Sequence, residues 1–278
     1  MKTIVAIHDL SCHAKSSLTV VIPTLAALGL EASFLPTALL STQTDGFEGY
    51  SYLDLTTEME KILKHWESLN FSFDGLYSGF LGSEKQIDIV LRLIDDVKQS
   101  NSSSLIVVDP VLGDEGRAYG PVSGLLIDRM AQVVKHADVI TPNITEAALL
   151  LSKPYNSHLS VEEAHKWAKE LSLLGPQYVV ITSVMQHEVG YSVGYDRTHD
   201  VHFSHHAHYA PISYPGCGDL FASIVSALMI QNHSFDSAVK KATHLVAQAV
   251  FTSLKAEVPQ RMGVAVELVI KELVDLIT

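Results

Sequence analysis

The sequence predicts an α/β domain with a mostly parallel central sheet, helices on both of its faces and a small antiparallel edge region. Over most of the chain, short apolar runs of strand length alternate with segments whose apolar residues recur at helical spacing. The run at 105–108 is unbroken until Asp109 and Pro110, which is typical of a parallel strand buried on both faces. At 188–208 the pattern changes to alternation, which predicts antiparallel edge strands or hairpins.

The parallel strands are predicted from short runs of apolar and β-branched residues that turn-forming residues bound. In chain order they are 3–7, 32–37, 75–78, 105–108, 138–141 and 178–182. The stretch 41–50 is polar and rich in turn residues, so it is predicted to be a loop.

Helices are predicted where apolar residues recur every three or four positions. In the segment 56–69 this pattern places Met59, Ile62, Leu63 and Trp66 on one face. In chain order the predicted helices are 16–28, 56–69, 84–98, 124–136, 143–151, 160–174, 219–230, 235–254 and 263–276. The last helix is expected to pack its apolar stripe in the core: Val266, Leu268, Val269, Leu273 and Leu276.

The composition is that of a folded domain with an acidic balance. Of 278 residues, 47% are hydrophobic and 18% charged, and 19 basic against 31 acidic residues give a net charge of −12. We expect one domain over residues 1–278 and no nucleic-acid partner, because neutralising nucleic-acid phosphates needs a basic face. No apolar run has the length of a signal-peptide core or a membrane span, and Cys12 and Cys217 are too few for a disulfide framework. A cytoplasmic protein without a membrane partner is therefore expected.

Polar side chains gather at the C-terminal ends of successive predicted strands. They are His8-Asp9, Ser78-Gly79, Asp109-Pro110, Thr141-Pro142-Asn143, Thr182-Ser183 and the glycine motif that begins at Pro215. In open parallel sheets, ligands bind along the edge formed by these strand ends. The agreement of six segments predicts one ligand site there.

The glycine motif Gly216-Cys217-Gly218-Asp219 directly precedes a predicted helix. Glycines allow a ligand to approach the backbone, and the first N–H groups of a helix bind anions, most often phosphate. The Asp219 carboxylate could then take a proton from a hydroxyl that attacks the phosphate. The alternative, a glycine turn with an aspartate that caps the helix, has about equal weight on this segment alone.

Two carboxylates, Asp109 and Glu146, are candidate metal ligands together with Asn143. Asp109 ends the most apolar strand, and Glu146 lies three residues after Asn143 at a helix start. Carboxylate and amide oxygens suit Mg²⁺, which also binds substrate phosphates. The alternative is a helix cap at Asn143 with Glu146 as its capping-box partner.

Four segments together resemble the ribokinase-like vitamin kinases, most closely the pyridoxal (pyridoxine, pyridoxamine) kinase group, over essentially the whole chain. The segments are Ser78–Ser83, Asp109–Asp114, Thr141–Ala147 and Gly216–Asp219. The resemblance implies a three-layer ribokinase-like fold and ATP-dependent phosphorylation of the vitamer's 5′-hydroxymethyl group. It also implies Mg²⁺, a monovalent cation such as K⁺ and a homodimer.

The resemblance assigns roles to individual residues. Asp219 resembles the family's catalytic base, and the backbone of Gly216, Cys217 and Gly218 resembles its anion hole. Asp109 and Glu146 resemble the group that positions the metal. The residues implied in vitamer binding are Asp9, Ser11, Thr44, Tyr77 and Asp219, and those implied in nucleotide binding are Asp114, Thr141, Asn143, Thr182, Ser183 and Gly218.

The chain departs from the family pattern at two places. Cys217 stands where relatives usually have threonine, so this position is expected to act through its N–H. The first strand ends in His8-Asp9-Leu10-Ser11, where relatives often place a serine against the vitamer, so either Asp9 or Ser11 takes that place. Two alternative functions remain open: a hydroxymethylpyrimidine kinase of thiamine synthesis and a non-catalytic vitamer-binding protein.

A run of histidines at 199–208 invites a metal-binding interpretation. Since Asp200 alone joins them, a solvated strand or flap over the nucleotide is favoured. Cys217 at a helix N-terminus also invites a nucleophile hypothesis. No histidine stands beside it in the motif, so the anion-hole interpretation is preferred.

Overall fold

A nine-stranded sheet forms the centre of the molecule in the part of the chain that the structure describes. This computed structural model describes residues 1–120, 122–187, 189–208, 210 and 212–277. The strands are β1 (Thr3–Ser11), β2 (Glu31–Leu40), β3 (Tyr52–Asp54), β4 (Gly75–Ser78), β5 (Leu105–Val108), β6 (Gly113–Asp114), β7 (Arg117–Ala118), β8 (Val139–Ile140), β9 (Tyr178–Gln186), β10 (Val189–Asp196) and β11 (Val201–His208). The sheet order is β11-β10-β9-β8-β5-β4-β1-β2-β3, and β6 pairs with β7 in a separate hairpin.

The centre of the sheet is parallel and both of its edges are antiparallel. The strands from β9 through β8, β5, β4 and β1 to β2 pair in parallel, whereas β3, β10 and β11 pair antiparallel to their neighbours. The predicted fold class is confirmed. The alternating segment forms β10 and β11, paired from Val189 with His208 to Asp196 with Val201; Glu188, where that prediction began, lies outside the described residues.

Helices cover both faces of the sheet in two layers. They are α1 (Leu18–Ala27), α2 (Thr56–Leu69), α3 (Glu84–Ser100), α4 (Gly124–His136), α5 (Ile144–Leu150), α6 (Val161–Ser172), α7 (Cys217–Ile230), α8 (Phe235–Lys255) and α9 (Ile270–Asp275). One core contains residues of α2 to α6, and the other contains residues of α1, α7, α8 and α9. Across the described ranges, no helix combines the length and apolar character needed to cross a bilayer.

β1 supplies apolar side chains to both cores because successive residues of a strand face opposite sides. Val5 and Ile7 belong to the core under α2 to α6, and Ile4 and Ala6 belong to the core under α1, α7 and α8. All four are fully buried, and burial of a Val or Ile side chain stabilises the fold by about 1.5–3 kcal/mol. The strand is therefore anchored on both faces just before its polar end.

The final helix predicted at 263–276 is confirmed over Ile270–Asp275, where α9 forms, and is wrong over its first half. The chain forms 3₁₀ turns at Gln260–Met262 and Val266–Leu268 before the short α9. The N–H of Val264 donates to the carbonyl of Pro215 at 2.9 Å, a bond to a distant segment that a continuous helix would forgo. Leu268 is 43% exposed rather than in the core, whereas Val266, Val269 and Leu273 are buried as expected.

Two strands run further than predicted. β1 continues beyond a register shift between His8 and Leu10 to pair Leu10 with Leu39 and Ser11 with Leu40, so Asp9 and Ser11 lie within the strand, past its predicted end at residue 7. β9 continues through Thr182 and Ser183 to Gln186 because β10 pairs with it. Neighbouring strands therefore extend segments whose own residues are polar.

Candidate active site

The polar ends of adjacent strands are joined by backbone hydrogen bonds. The N–H of Asp109, after β5, donates to the carbonyl of Ser78 in β4 at 2.8 Å. The N–H of Thr182 donates to the carbonyl of Pro142 at 2.9 Å, and Asn143 and Thr182 form an isolated bridge. Because β9, β8, β5 and β4 are neighbours in the sheet, these residues share one edge, where ligands of open parallel sheets bind.

The glycine motif opens α7 without a side-chain cap. Gly216 precedes the helix with φ of 85°, and a Cβ there would lie 2.8 Å from Cγ2 of Val20, so both backbone conformation and space require glycine. No side chain caps the first N–H groups, which leaves them available to an anion. Gly218 is exposed, and a Cβ on it would lie 3.8 Å from Oδ2 of Asp109. The motif therefore faces the acidic end of β5.

The Asp219 carboxylate is held from the side of β1 and makes no capping bond to its own helix. Its Oδ2 accepts a hydrogen bond from the N–H of Ser17 at 2.7 Å, and its Oδ1 lies 3.7 Å from Nδ1 of His8. Burial raises the pKa of Asp219 to about 7; the Ser17 hydrogen bond opposes this rise and the charge of Asp9 adds to it. A carboxylate that is 13% exposed with a pKa near neutrality suits a general base.

His8 is a neighbour of Asp219 to which sequence reasoning assigned no role. It is fully buried, and neither ring nitrogen has a hydrogen-bond partner among the described residues. The ring meets Tyr77 edge-on at 4.4 Å between centroids, and a Cβ on Gly79 would overlap it. Burial lowers the pKa of His8 to about 3, so the ring is neutral and lies beside Asp219 without adding a charge.

Asp9 and Ser11 face a network of hydroxyl groups. Oδ1 of Asp9 accepts a hydrogen bond from Oγ of Ser17 at 2.5 Å, and its Oδ2 accepts one from Oγ of Ser11 at 3.5 Å. Burial raises the pKa of Asp9, and the hydrogen bonds from Ser17 and Ser11 oppose that rise. Both Asp9 oxygens thus have partners within the protein. Ser17 was not among the predicted site residues, because no spacing in the chain connects it to Asp219.

Asp109, Glu146 and Asp219 form an acidic cluster. Burial and the charges of Glu146 and Asp219 hold the pKa of Asp109 well above its usual range. Burial raises the pKa of Glu146 to about 7, opposed by backbone hydrogen bonds. Among the described residues, no lysine or arginine pairs with any of the three. Carboxylates gathered without a cation favour a positively charged ligand.

The alternative interpretation of Asn143 and Glu146 is present in the structure. Oδ1 of Asn143 accepts from the N–H of Glu146, and Oε2 of Glu146 accepts from the N–H of Asn143, so the pair forms a capping box for α5. Oε1 of Glu146 also accepts from the N–H of Leu112 at 3.1 Å, and Nδ2 of Asn143 donates to the carbonyl of Gly113 at 2.9 Å. Both residues fix the loop after β5; their roles toward metal and nucleotide stay predictions.

The other predicted site residues differ in exposure. Thr44 is exposed in its loop, and Ser183 is exposed with φ of 62°. Asp114 is exposed in β6 and accepts from the N–H of Glu115 at 2.8 Å. Tyr77 is fully buried against His8, which leaves its hydroxyl remote from solvent. The predicted ligand contacts of these residues remain predictions.

The acidic cluster fits Mg²⁺ held mainly through water and phosphate. In the described part of the chain, no three His, Cys, Asp or Glu side chains form a ready-made metal cage. The hydroxyl of Thr141 is buried beside the Asp109 carboxyl group. Mg²⁺ commonly uses one or two carboxylates and completes its shell with water and substrate oxygens, which agrees with Asp109 and Glu146 as its protein contacts.

Comparison with known proteins identifies the family. The model of the phosphomethylpyrimidine kinase family matches residues 20–263, most of the chain. The protein belongs to this family. The resemblance to the ribokinase-like vitamin kinases, drawn from the four sequence segments, is thereby confirmed.

Solved structures of family relatives match over nearly the whole chain. A Bacteroides thetaiotaomicron protein named for the phosphomethylpyrimidine kinases, crystallised with pyridoxal, is 40% identical with a TM-score of 0.90, over 98% of this chain and 95% of that one. Pyridoxal kinase from Lactobacillus plantarum is 28% identical with a TM-score of 0.87, over 99% of this chain and 98% of that one.

Sequence comparison with curated kinases matches a shorter segment. Human pyridoxal kinase is 32% identical over 155 residues, which are 52% of this chain and 48% of the human protein. The sheep enzyme matches over 57% of this chain and 51% of its own length. The aligned segment thus spans about half the length of these curated relatives.

Proposed function

We propose that this protein is an ATP-dependent kinase that phosphorylates the 5′-hydroxymethyl group of pyridoxal, pyridoxine or pyridoxamine. The observation that carries the proposal is Asp219, a carboxylate with a raised pKa at the head of a helix whose first N–H groups are uncapped. The pyridoxal in the crystal of the Bacteroides relative and the pyridoxal kinase from Lactobacillus support the vitamer class.

The residues perform the transfer by holding the reactants and accepting one proton. Asp219 takes the proton of the vitamer hydroxyl as the hydroxyl oxygen forms a bond to the γ-phosphorus of ATP; the bond from that phosphorus to the β,γ-bridging oxygen breaks, and ADP leaves. The N–H groups of Gly216, Cys217 and Gly218 stabilise the negative charge of the transferring phosphoryl group. Asp109 and Glu146 would hold Mg²⁺, directly or through water, and the ion would neutralise phosphate charge. Contacts to ATP are assigned to Asp114, Thr141, Asn143, Thr182 and Ser183.

The thiol of Cys217 takes no part in this mechanism. Burial raises the pKa of Cys217 to about 12, so the thiol is protonated at neutral pH, whereas a nucleophilic cysteine needs a thiolate. Cysteine in place of the family's threonine is therefore compatible with a role through the backbone N–H. We further propose a single domain over residues 1–278, a cytoplasmic location, a homodimer and a monovalent cation such as K⁺, as the family resemblance implies.

The expected substrate profile separates the candidate functions. Steady-state assays with ATP and Mg²⁺ should show turnover of at least one B6 vitamer with a kcat/KM above that for hydroxymethylpyrimidine. The reverse order would identify a hydroxymethylpyrimidine kinase. Binding of pyridoxal without turnover of any of these compounds would contradict an enzymatic function and favour a vitamer-binding protein.

Turnover is expected to rise with pH through about 7. The pKa of Asp219 is raised to about 7, and a base must be deprotonated to accept a proton, so kcat should fall tenfold per pH unit well below that value. Since the folded pKa exceeds the usual one, Asp219 favours folding below about pH 4, and this contribution is lost as pH rises through 7. The facing charged and titratable groups are His8, Asp9 and Asp109. A kcat that is flat from pH 5 to 8, measured with saturating substrates, would contradict the assignment.

A further inference from the structure

Ser17 connects two carboxylates of the candidate active site. Its N–H donates to Oδ2 of Asp219 at 2.7 Å, and its Oγ donates to Oδ1 of Asp9 at 2.5 Å. Ser17 is buried at the turn into α1 and forms an isolated bridge with Leu10 of β1. One residue thereby links the end of β1 to the first turn of α7.

The backbone of Ser17 is strained. Its φ of 51° and ψ of −129° resemble the first central position of a type II′ turn, which glycine favours. Such a conformation costs a residue with a Cβ about 1–3 kcal/mol and points to a functional constraint where the surroundings enforce it. Glycine would remove the strain, but it would also remove the hydroxyl that binds Asp9. The hydroxyl is therefore the feature that serine offers at this position and glycine, the less strained residue, does not.

Asp9 can serve as an anchor because it is fixed on two sides. The β1–β2 pairing shifts register at Asp9 and resumes at Leu10 and Ser11, so paired residues flank it, and the hydroxyl of Ser11 approaches its second oxygen at 3.5 Å. The bond from Ser17 then fixes the turn, and the N–H of Ser17 fixes one oxygen of Asp219. Among the described residues, the other oxygen of Asp219 accepts no hydrogen bond; Nδ1 of His8 lies 3.7 Å from it, so this oxygen is available to a substrate.

We propose that Asp9 and Ser17 are positioning residues for the catalytic base, acting through the series Asp9 carboxylate, Ser17 hydroxyl, Ser17 N–H and Asp219 carboxylate. The proposal rests on the proposed function in that Asp219 is taken as the base. In this proposal Asp9 positions Asp219 by binding Ser17, and it does not contact the vitamer directly. Misplacement of a reacting group by about 1 Å can cost about 100-fold in rate, so loss of either residue should reduce kcat.

The variant Ser17→Gly separates positioning from stability, because it relieves backbone strain and keeps the N–H while removing the anchor. We expect an unchanged or higher melting temperature, an unchanged KM for ATP and a kcat about 10- to 100-fold lower. Asp9→Ala should lower kcat to a similar extent, and Asp9→Asn, which keeps an acceptor for the Ser17 hydroxyl, should restore most of that loss. Because the two residues act in series, the double variant should lose no more than the worse single variant.

Three results would overturn the proposal: wild-type kcat in Ser17→Gly, multiplicative losses in the double variant, or an Asp9→Ala variant that raises KM for pyridoxal with kcat unchanged. A wild-type protein without kinase activity would instead contradict the proposed function. The positioning proposal then has a readout of its own in crystal structures of wild type and Ser17→Gly. A displaced Asp219 carboxylate or a second rotamer in the variant would support the proposal, and an unmoved carboxylate would overturn it.

Discussion

Replacing Asp219 with asparagine is expected to lower kcat by about 10²- to 10⁴-fold, the usual contribution of a general base. The amide keeps an oxygen that can accept the 2.7 Å hydrogen bond from the N–H of Ser17, so the fold and the geometry of the first turn of α7 should persist. What is lost is the ability to accept a proton from the vitamer hydroxyl. Steady-state kinetics together with calorimetric titration of ATP would check both parts.

Asp128→Asn is the matched control, since it makes the same chemical change at an exposed position of α4. Its kcat should equal that of the wild type. A near-normal kcat in Asp219→Asn would refute the base assignment. Loss of ATP affinity in step with kcat would instead mean that Asp219 acts on the nucleotide.

Replacing Asp109 with asparagine is expected to stabilise the free protein while impairing catalysis. Burial and the charges of Glu146 and Asp219 raise the pKa of Asp109, so removing its charge relieves repulsion. A stabilisation of about 0.5–2 kcal/mol is in the usual range for such a change, and loss of function is its recurrent cost. Activity should fall about 10- to 100-fold, as is typical when a group that supports a metal is lost.

The measurements are chemical denaturation at pH 8 without ligand and turnover as a function of Mg²⁺ concentration. The half-saturating Mg²⁺ concentration should rise in Asp109→Asn and stay unchanged in Asp95→Asn, a control on the exposed surface of α3. An unaltered Mg²⁺ dependence in Asp109→Asn would exclude this carboxylate from the metal site. A lower free energy of unfolding in Asp109→Asn would show that repulsion from Glu146 and Asp219 is not the dominant effect of the Asp109 charge on stability.

Local sequence patterns predicted most of the regular structure because they reflect local physics. α2 and α4 begin and end where periodicity and flanking polar residues placed them. The strand ends were also well placed as a group, since an apolar run followed by a polar residue marks where a buried strand leaves the core. The capping box of α5 was foreseen as an alternative; whether Glu146 also contacts a metal is a question about a ligand that spacing alone cannot answer.

The parts that sequence reasoning missed depend on contacts between distant segments. The extension of β1 to Ser11 comes from pairing with β2, and the shortening of the predicted last helix to α9 accompanies the bond from Val264 to Pro215. Two neighbours of Asp219 come from the opposite end of the chain: Ser17 and His8. The residues themselves carried only a weak signal: a serine before a helix suggests an ordinary cap, and here it adopts φ of 51° and makes no side-chain cap bond.

The segment 261–264 forms hydrogen bonds with three segments that are remote in the sequence. The carbonyl of Arg261 accepts from Nε2 of Gln43, the carbonyl of Met262 accepts from the N–H of Lys15, and Val264 donates to Pro215 beside the glycine motif. During synthesis this segment leaves the ribosome after every strand of the sheet, and a domain generally folds as one unit. The glycine motif can therefore acquire its final neighbours only after every strand of the sheet has been synthesised.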